Sequence, residues 1–428
     1  MSVEAILKAA AERADEAEVC ISTGQSLSAE LKRRQIEIGS LSDGTGLIIR
    51  TITDGRIGIS STDNPAAWEK CLDAAIASSR FSDQVDWKGL PGPRSLDQQP
   101  LAYDPKIQTE PGLVTDLINR MLNGAASWPA EVTGGGVSVT EATHTIANST
   151  GLWYETRETN VTLSLEMIAG QSTGYEFDAA WNLEGVNPEK VGEDAAFFAA
   201  RGQDGREIPT GSYDVVLSPL ALSRLLEAAI TPALSGRSVH TGRSFFAGKM
   251  GTQVADSRLS LTDDPFDPRG MANCPWDGEG TPVQKTGFIT EGILSSYAYD
   301  LKTAYRYGEN PTGHAVRSGM AGAPGIGHHN LILNAATRDV MDDDAIYIHD
   351  LIGAHTANPL SGDFSVELSG PFFTSGGRPE DPIRTAMLSG NIFDLLQKVE
   401  GSSRETRTIG SLILPSVRFP GLSIVGRG

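Results

Sequence analysis

Apolar positions along this chain follow two periods, and each change of period marks an element. Val3, Ile6, Leu7 and Ala10 recur on one helical face, which predicts an amphipathic helix ending near Asp15. From residue 17 to 61 the pattern is alternating or β-branched. It predicts strands at Glu18–Ser22, Leu27–Arg33, Gly46–Thr53 and Arg56–Ser60, with turns at Asp43-Gly44 and Asp54-Gly55. Asp63 or Asn64 can cap a following helix that opens on Pro65 and buries Trp68, Leu72, Ala75 and Ile76. Leu113, Leu117, Ile118 and Met121 predict another helix. Residues 132 to 169 alternate strongly around a hairpin turn at Asn148-Ser149-Thr150-Gly151, with Val161, Leu163 and Leu165 on one face. A helix is expected over Glu189–Arg201, a strand over Tyr213–Leu217, and a helix from Ser218-Pro219 to about Thr231. Beyond it, short apolar runs between Gly, Pro and Asp predict strands, with no long helix before Asn391–Val399.

These elements predict an α+β fold: a small N-terminal α/β unit, a middle antiparallel sheet with helices, and a β-rich C-terminal domain. The expected boundaries are 1–81 for the first domain and 82–105 for a linker rich in Pro, Gly, Asp and Gln. The middle domain is expected over 106–210 and the C-terminal domain over 211–428. A chain of 428 residues is long enough for two or three such cores.

Charge and cysteine usage narrow the function classes. The formal net charge is −19 and the sequence pI about 4.8. The longest basic run is Lys32-Arg33-Arg34, so a phosphate-binding surface is not expected, and neither is a nucleic-acid partner. Cys20, Cys71 and Cys274 are far apart and form no CxxC pair, which argues against a disulfide framework or a thiolate-rich zinc site. The acidic N-terminal stretch does not read as a signal peptide, and no apolar run is long enough to cross a bilayer. The expectation is a cytoplasmic protein without a membrane partner.

Several short segments, in order, resemble the TldD/PmbA family on its PmbA (TldE) side. They are Asp15-Glu16-Ala17-Glu18-Val19, Ser42-Asp43-Gly44, Ser60-Ser61-Thr62-Asp63, Ser235-Gly236, and Arg243-Ser244-Phe245 before Gly248-Lys249. Later come His355-Thr356-Ala357-Asn358, Ser361-Gly362-Asp363-Phe364-Ser365, Ser369-Gly370-Pro371-Phe372, Ser389-Gly390-Asn391-Ile392 and Gly410-Ser411. The family has also been described as modulators of DNA gyrase. Its TldD-type members resemble zinc peptidases with a Leu-Leu-His-Glu-x-x-x-His helix and a late Cys ligand. There the metal would activate water and the Glu would act as general base.

Placed on this chain, that motif falls on Leu225-Leu226-Glu227-Ala228-Ala229-Ile230-Thr231-Pro232. Glu227 stands at the first His position, Ala228 at the base and Pro232 at the second His, and no Cys follows Cys274. Glu227 could still bind a metal, but Ala228 cannot accept a proton and Pro232 offers no side-chain ligand. No catalytic, cofactor or metal residue is expected at the motif, and zinc is expected only in a TldD-type partner. Leu222, Leu225, Leu226 and Ala229 keep an apolar face, so a packing helix is expected, ending or kinking near Thr231 because of Pro232.

The resemblance implies a non-catalytic subunit of a TldD-type metallopeptidase that proteolyses unfolded peptides. It would pair as a heterodimer, or as a homodimer, to enclose a chamber and hold an extended peptide. His355, Asn358, Ser361, Gly362 and Asp363 are candidates for a peptide-binding or subunit cleft, set against the simpler reading of a turn stabilised by its own Asn and Asp. One alternative is a stand-alone hydrolase with a metal site drawn from His328, His329, His349, His355 and Asp350. Another is a non-enzymatic homodimeric binding protein. No GxSxG elbow or phosphate loop occurs.

Overall fold

The computed structural model describes every residue except 1, 97, 99, 100, 320, 321, 343, 427 and 428. Three of these fall within the expected linker, and that part of it lies outside the described residues.

The first layer is a six-stranded antiparallel sheet. Its strands are β1 (Glu16–Lys32), β2 (Gln35–Thr53), β3 (Arg56–Thr62), β4 (Glu131–Asn148), β5 (Trp153–Ala169) and β6 (Ser172–Ala180). Their order is β3-β2-β1-β4-β5-β6. β1 pairs with β4 from Glu18↔Asn148 to Leu31↔Gly135, so one sheet runs across the N-terminal and middle segments. One face carries two helix pairs. Near its first edge, α1 (Val3–Ala11) and α2 (Trp68–Ser79) bury Ile6 and Leu72 against Val19, Leu47 and Ile49. At the other end, α3 (Pro111–Ala125) and α4 (Pro188–Arg201) bury Leu117, Met121 and Ala195 against Val139, Val161, Leu163 and Leu165. The Asn187 side chain accepts the Lys190 N–H at 3.1 Å, which fixes where α4 begins.

The turn expected at Asp43-Gly44 is absent, a correction to the reading above. β2 continues through it, with Gly44 opposite Gly24 and Asp43 opposite Gln25. The chain reverses instead at Arg33 and Arg34, with φ of 48° and 64°. Asp-Gly favours a tight turn only where the register needs one, and here the long β1–β2 ladder overrides it. The Asp54-Gly55 turn forms, with φ of 51° and 69°.

The C-terminal part holds β7 (Gly211–Leu217), α5 (Pro219–Leu225), β8 (Ser260–Asp263), β9 (Thr286–Thr290), β10 (Ile293–Leu294), β11 (Ala315–Arg317) and β12 (Pro324–Ile326). Then come β13 (Leu331–Asn334), β14 (Ile346–Ile352), β15 (Asp363–Ser375), β16 (Arg378–Pro382), β17 (Met387–Asn391), α6 (Ile392–Leu396), β18 (Gly401–Ile409) and β19 (Leu412–Val425). Most of these strands form one large sheet with the path β10-β9-β8-β13-β19-β17-β15-β14-β7, while β11 and β12 pair by themselves. Its core gathers Leu217, Leu226, Phe246, Phe288, Ile348 and Leu412 among others. The helix expected over Asn391–Val399 is shorter than the pattern suggested.

The two halves meet through the opposite face of the first sheet. Cys20, Ile48, Ile146 and Tyr154 turn away from α1 and α2 and pack with Trp276, whose ring stacks on Tyr154 at 5.8 Å. Beside them lies a buried ion network. Arg50 on β2 pairs with Glu18 on β1 at 2.6 Å and with Glu279 from the C-terminal half, while Arg317 also reaches Glu18. Such charges are costly to bury singly and acceptable only when matched across the contact.

Candidate functional site

The motif helix is the first place to look for chemistry. Ser218 caps α5 by accepting the Ala221 N–H at 3.1 Å, and Pro219 occupies its first turn. The helix does not stop at Thr231. It passes through a π-helical turn at Leu226–Ile230, where the Thr231 N–H reaches back to the Leu226 carbonyl, and continues over Thr231–Ala233. The wider turn accommodates the proline, whose ring would crowd an α-helical ladder and whose nitrogen has no proton to donate. Leu225, Leu226, Ala229 and Ile230 are buried, Glu227 is exposed, and Ala228 is half-buried. No imidazole stands on this helix.

The five cleft candidates come together as one surface turn. The Asn358 side chain accepts the Leu360 and Ser361 N–H groups, Ser361 Oγ lies 2.7 Å from Asp363, and the Asn391 amide donates to Asp363 at 2.9 Å. Gly362 has φ of 83° and its Cβ would meet the Phe393 ring, so glycine is required there. His355 is exposed at its edge. None of the five lines the cavities described below.

The four histidines of the alternative metal reading do not come together, and His355 stands exposed at the turn described above. His328 Nε2 lies 2.9 Å from Ser411 Oγ. His349 stacks on Phe198 at 3.7 Å and places Nε2 3.1 Å from the Tyr175 carbonyl and 3.6 Å from Glu176. Burial would push the Glu176 carboxyl up, but His349 and Arg407 outweigh it and hold it below its ordinary value. Asp350 pairs with Arg224 at 3.2 Å. Only His329 joins a compact group, and its companions were not anticipated.

That group is Asp263, His314 and His329, the one set of acid, His or Cys groups with metal-like spacing among the described residues. Asp263 ends β8 with its side chain wholly buried. Its carboxylate accepts the His329 N–H at 3.0 Å and the Asn330 N–H at 2.7 Å. One oxygen also lies 3.0 Å from His329 Nδ1 and 3.2 Å from His314 Nε2. Burial alone would raise this carboxyl, yet the two imidazoles outweigh it and hold Asp263 well below the carboxylate range. An acid at an inward position of an alternating strand was the visible signal. Leu261 and Asp263 share the buried phase of β8.

His329 also borders a cavity of about 550 Å³ between the two halves of the molecule. Ser22, Thr140 and His144 from the first sheet form one wall, and Cys274, Trp276 and Arg317 form the other. A second cavity, of about 530 Å³, is lined by Glu176, Phe198, His349 and Arg407.

Comparison with known proteins places the whole chain. Residues 17–79, 95–203 and 210–426 match the models for PmbA/TldA metallopeptidase domain 1, the central domain and the C-terminal domain. The chain belongs to the PmbA/TldD family. It is 30% identical to an uncharacterized protein of Methanocaldococcus jannaschii, over 98% of this chain and 99% of that one. It is 24% identical to metalloprotease PmbA of Escherichia coli O157:H7, over 98% and 95% of the two chains. The crystal structure of TldE from Thermococcus kodakarensis superposes with a TM-score of 0.90, at 23% identity and 99% coverage of both chains. Membership of the PmbA/TldD family therefore agrees with the resemblance read from the short motifs, and the α+β architecture agrees with that of TldE. Among the described residues no helix is long and apolar enough to cross a membrane.

Proposed function

We propose that this PmbA/TldD-family chain is a subunit without zinc chemistry of its own at the family motif. It completes a two-component metallopeptidase acting on unfolded peptides. The observation that carries the reading is the motif helix. Its buried side is intact, while the side that would present ligands and base offers exposed Glu227, Ala228 and Pro232. A helix kept for packing, with alanine at the base position and proline at the second ligand position, suits a partner role. A TldD-type subunit would bring metal, water and base.

Assembly has a physical motive. Ile36, Ile38 and Leu41 stand exposed on the β1–β2 arm, at 46%, 50% and 65% of full exposure. Apolar side chains on a projecting ladder favour coverage by a second subunit, of TldD type or a copy of this chain. Long sheet edges also suit an extended peptide, which pairs through its backbone and needs little sequence specificity. The complex is proposed to be cytoplasmic, and the net charge of −19 speaks against a nucleic-acid partner.

The test is to purify the chain alone and together with a TldD-type subunit from its own source, and to assay unfolded peptides. Cleavage is expected only with both present, with zinc bound to the partner. Equal cleavage by the partner alone would refute the proposal.

A further inference from the structure

Three segments of the C-terminal half converge on one buried carboxylate, and backbone contacts fix each of them. Asp263 stands opposite Leu331 in the β8–β13 ladder, so β8 delivers it beside His329 and Asn330, which lead into β13. His314 comes just before β11. Its carbonyl accepts the Gly327 N–H at 2.9 Å, and β11 pairs with β12, which brings His314 back to the same place. Glycine lets these strands close, since a Cβ at Gly327 would lie 2.4 Å from the Val316 side chain.

The donor atoms are spaced as ligands of one ion. One Asp263 oxygen lies 3.0 Å from His329 Nδ1 and 3.2 Å from His314 Nε2. A tetrahedral zinc with bonds of about 2.0–2.2 Å keeps its ligand atoms about 3.3 Å apart, close to both values. His314 Nε2 is buried and makes no hydrogen bond, because its approach to that oxygen is out of line for one. Across the same ring, Nδ1 lies 2.8 Å from the Thr312 hydroxyl. That hydroxyl accepts the Tyr299 N–H at 2.8 Å and donates to the Tyr299 carbonyl at 3.3 Å. With its proton so used, its oxygen takes the proton of Nδ1, and Nε2 turns a bare lone pair toward a carboxylate. Two such groups repel unless a cation lies between them.

We propose that Asp263, His314 and His329 hold one zinc ion. Asp263 Oδ2, His314 Nε2 and His329 Nδ1 are its protein ligands, and water takes the fourth position. Two imidazoles and a carboxylate at this spacing suit zinc, whereas calcium and magnesium take oxygen ligands in larger number. The outer shell is in place. Thr312 orients His314, and the His329 and Asn330 N–H groups hold the other Asp263 oxygen at 3.0 and 2.7 Å. Asp277, also buried, accepts the Ala315 N–H at 3.1 Å, so a second carboxylate stands next to His314 and favours a cation. His329 borders the interdomain cavity, which gives the ion and its water a way in. The ion braces β8, β11 and β13 where they meet. It is distinct from the zinc assigned to a partner subunit, and no residue of the motif helix takes part.

The experiment uses the full chain without a partner, stripped with EDTA, desalted, and given zinc or cobalt(II) alone. One zinc per chain should survive a second desalting, read by inductively coupled plasma mass spectrometry, and zinc should raise the melting temperature. Cobalt(II) should give the visible absorption of a tetrahedral site. His314→Phe should lose both the stoichiometric metal and the cobalt band. Thr312→Val keeps all three ligands and should weaken zinc binding about 10- to 100-fold. His355→Ala, at an exposed histidine outside the group, should bind zinc as the wild type does. The wild-type readings decide the question even if a variant fails to fold. A wild-type chain that retains no stoichiometric zinc and melts unchanged in its presence overturns the proposal. So does zinc retained equally by His314→Phe. Peptide cleavage with a partner plays no part in these readings, so the subunit proposal and this one fail separately.

Discussion

Glu279 shows how a single residue can be read only through its neighbours. It is fully buried beside Arg50, Asp277 and Asp300, where Glu18, Asp277 and Glu279 outnumber the guanidinium groups of Arg50 and Arg317. Burial raises the Glu279 carboxyl to about 7, Arg50 opposes the shift, and Asp277 and Asp300 add to it. Its unfolded value is about 4.3. The folded state therefore holds the proton more tightly. The resulting stability is fully present below the unfolded value and is lost as pH rises through about 7. Thermal melts of wild type and Glu279→Gln should show a gap that changes across that window in the direction of wild-type loss. A gap that stays constant would contradict the assignment. At this scale the residue types that stand at the motif, Glu227, Ala228 and Pro232, can be read directly, because a proton acceptor or ligand is a property of residue type. The grouping of Asp263, His314 and His329 was not legible, because their segments lie far apart in sequence and meet only through the Asp263 carboxylate and the ladder beside it.

At the scale of elements, α5 and its π turn separate packing from chemistry. Leu226 is buried in the large core and Glu227 points to solvent. Leu226→Ala should cost about 2–5 kcal/mol, the range for emptying a core leucine site, and Glu227→Ala should cost well under about 1 kcal/mol. Urea unfolding of the two variants checks this. Equal losses would mean that the exposed face carries structure unaccounted for. Periodicity found the helices Val3–Ala11, Trp68–Ser79 and Pro188–Arg201 and the strands around them, since amphipathic burial is a local pattern. It misplaced the reversal of β2 at Asp43-Gly44, because register along the paired β1 and β4 decides where a long ladder ends. It expected the motif helix to end or kink near Thr231; the irregularity is a π turn at Leu226–Ile230, which carries the helix on to Ala233.

For the whole molecule, the contact between the first sheet and the C-terminal half turns on Arg50. Its guanidinium joins Glu18 from its own sheet to Glu279 from the other half, all within the interior. Arg50→Met would leave Glu279 buried without its counter-charge and Glu18 with Arg317 alone. It should cost about 3–5 kcal/mol, while Arg50→Met with Glu18→Gln and Glu279→Gln should recover much of that loss. Differential scanning calorimetry is the measurement. A single mutant as stable as wild type would show that the network adds nothing to the contact.

The sequence by itself determined the element types, the α+β class and the family. These depend on residue identity and short-range period. Tertiary structure alone decided that β1 lies beside β4, that the four histidines part company, and that His314 and His329 meet the buried Asp263 carboxylate. Contacts between distant segments are selected by the summed burial and hydrogen bonding of the whole fold, and no local pattern encodes them.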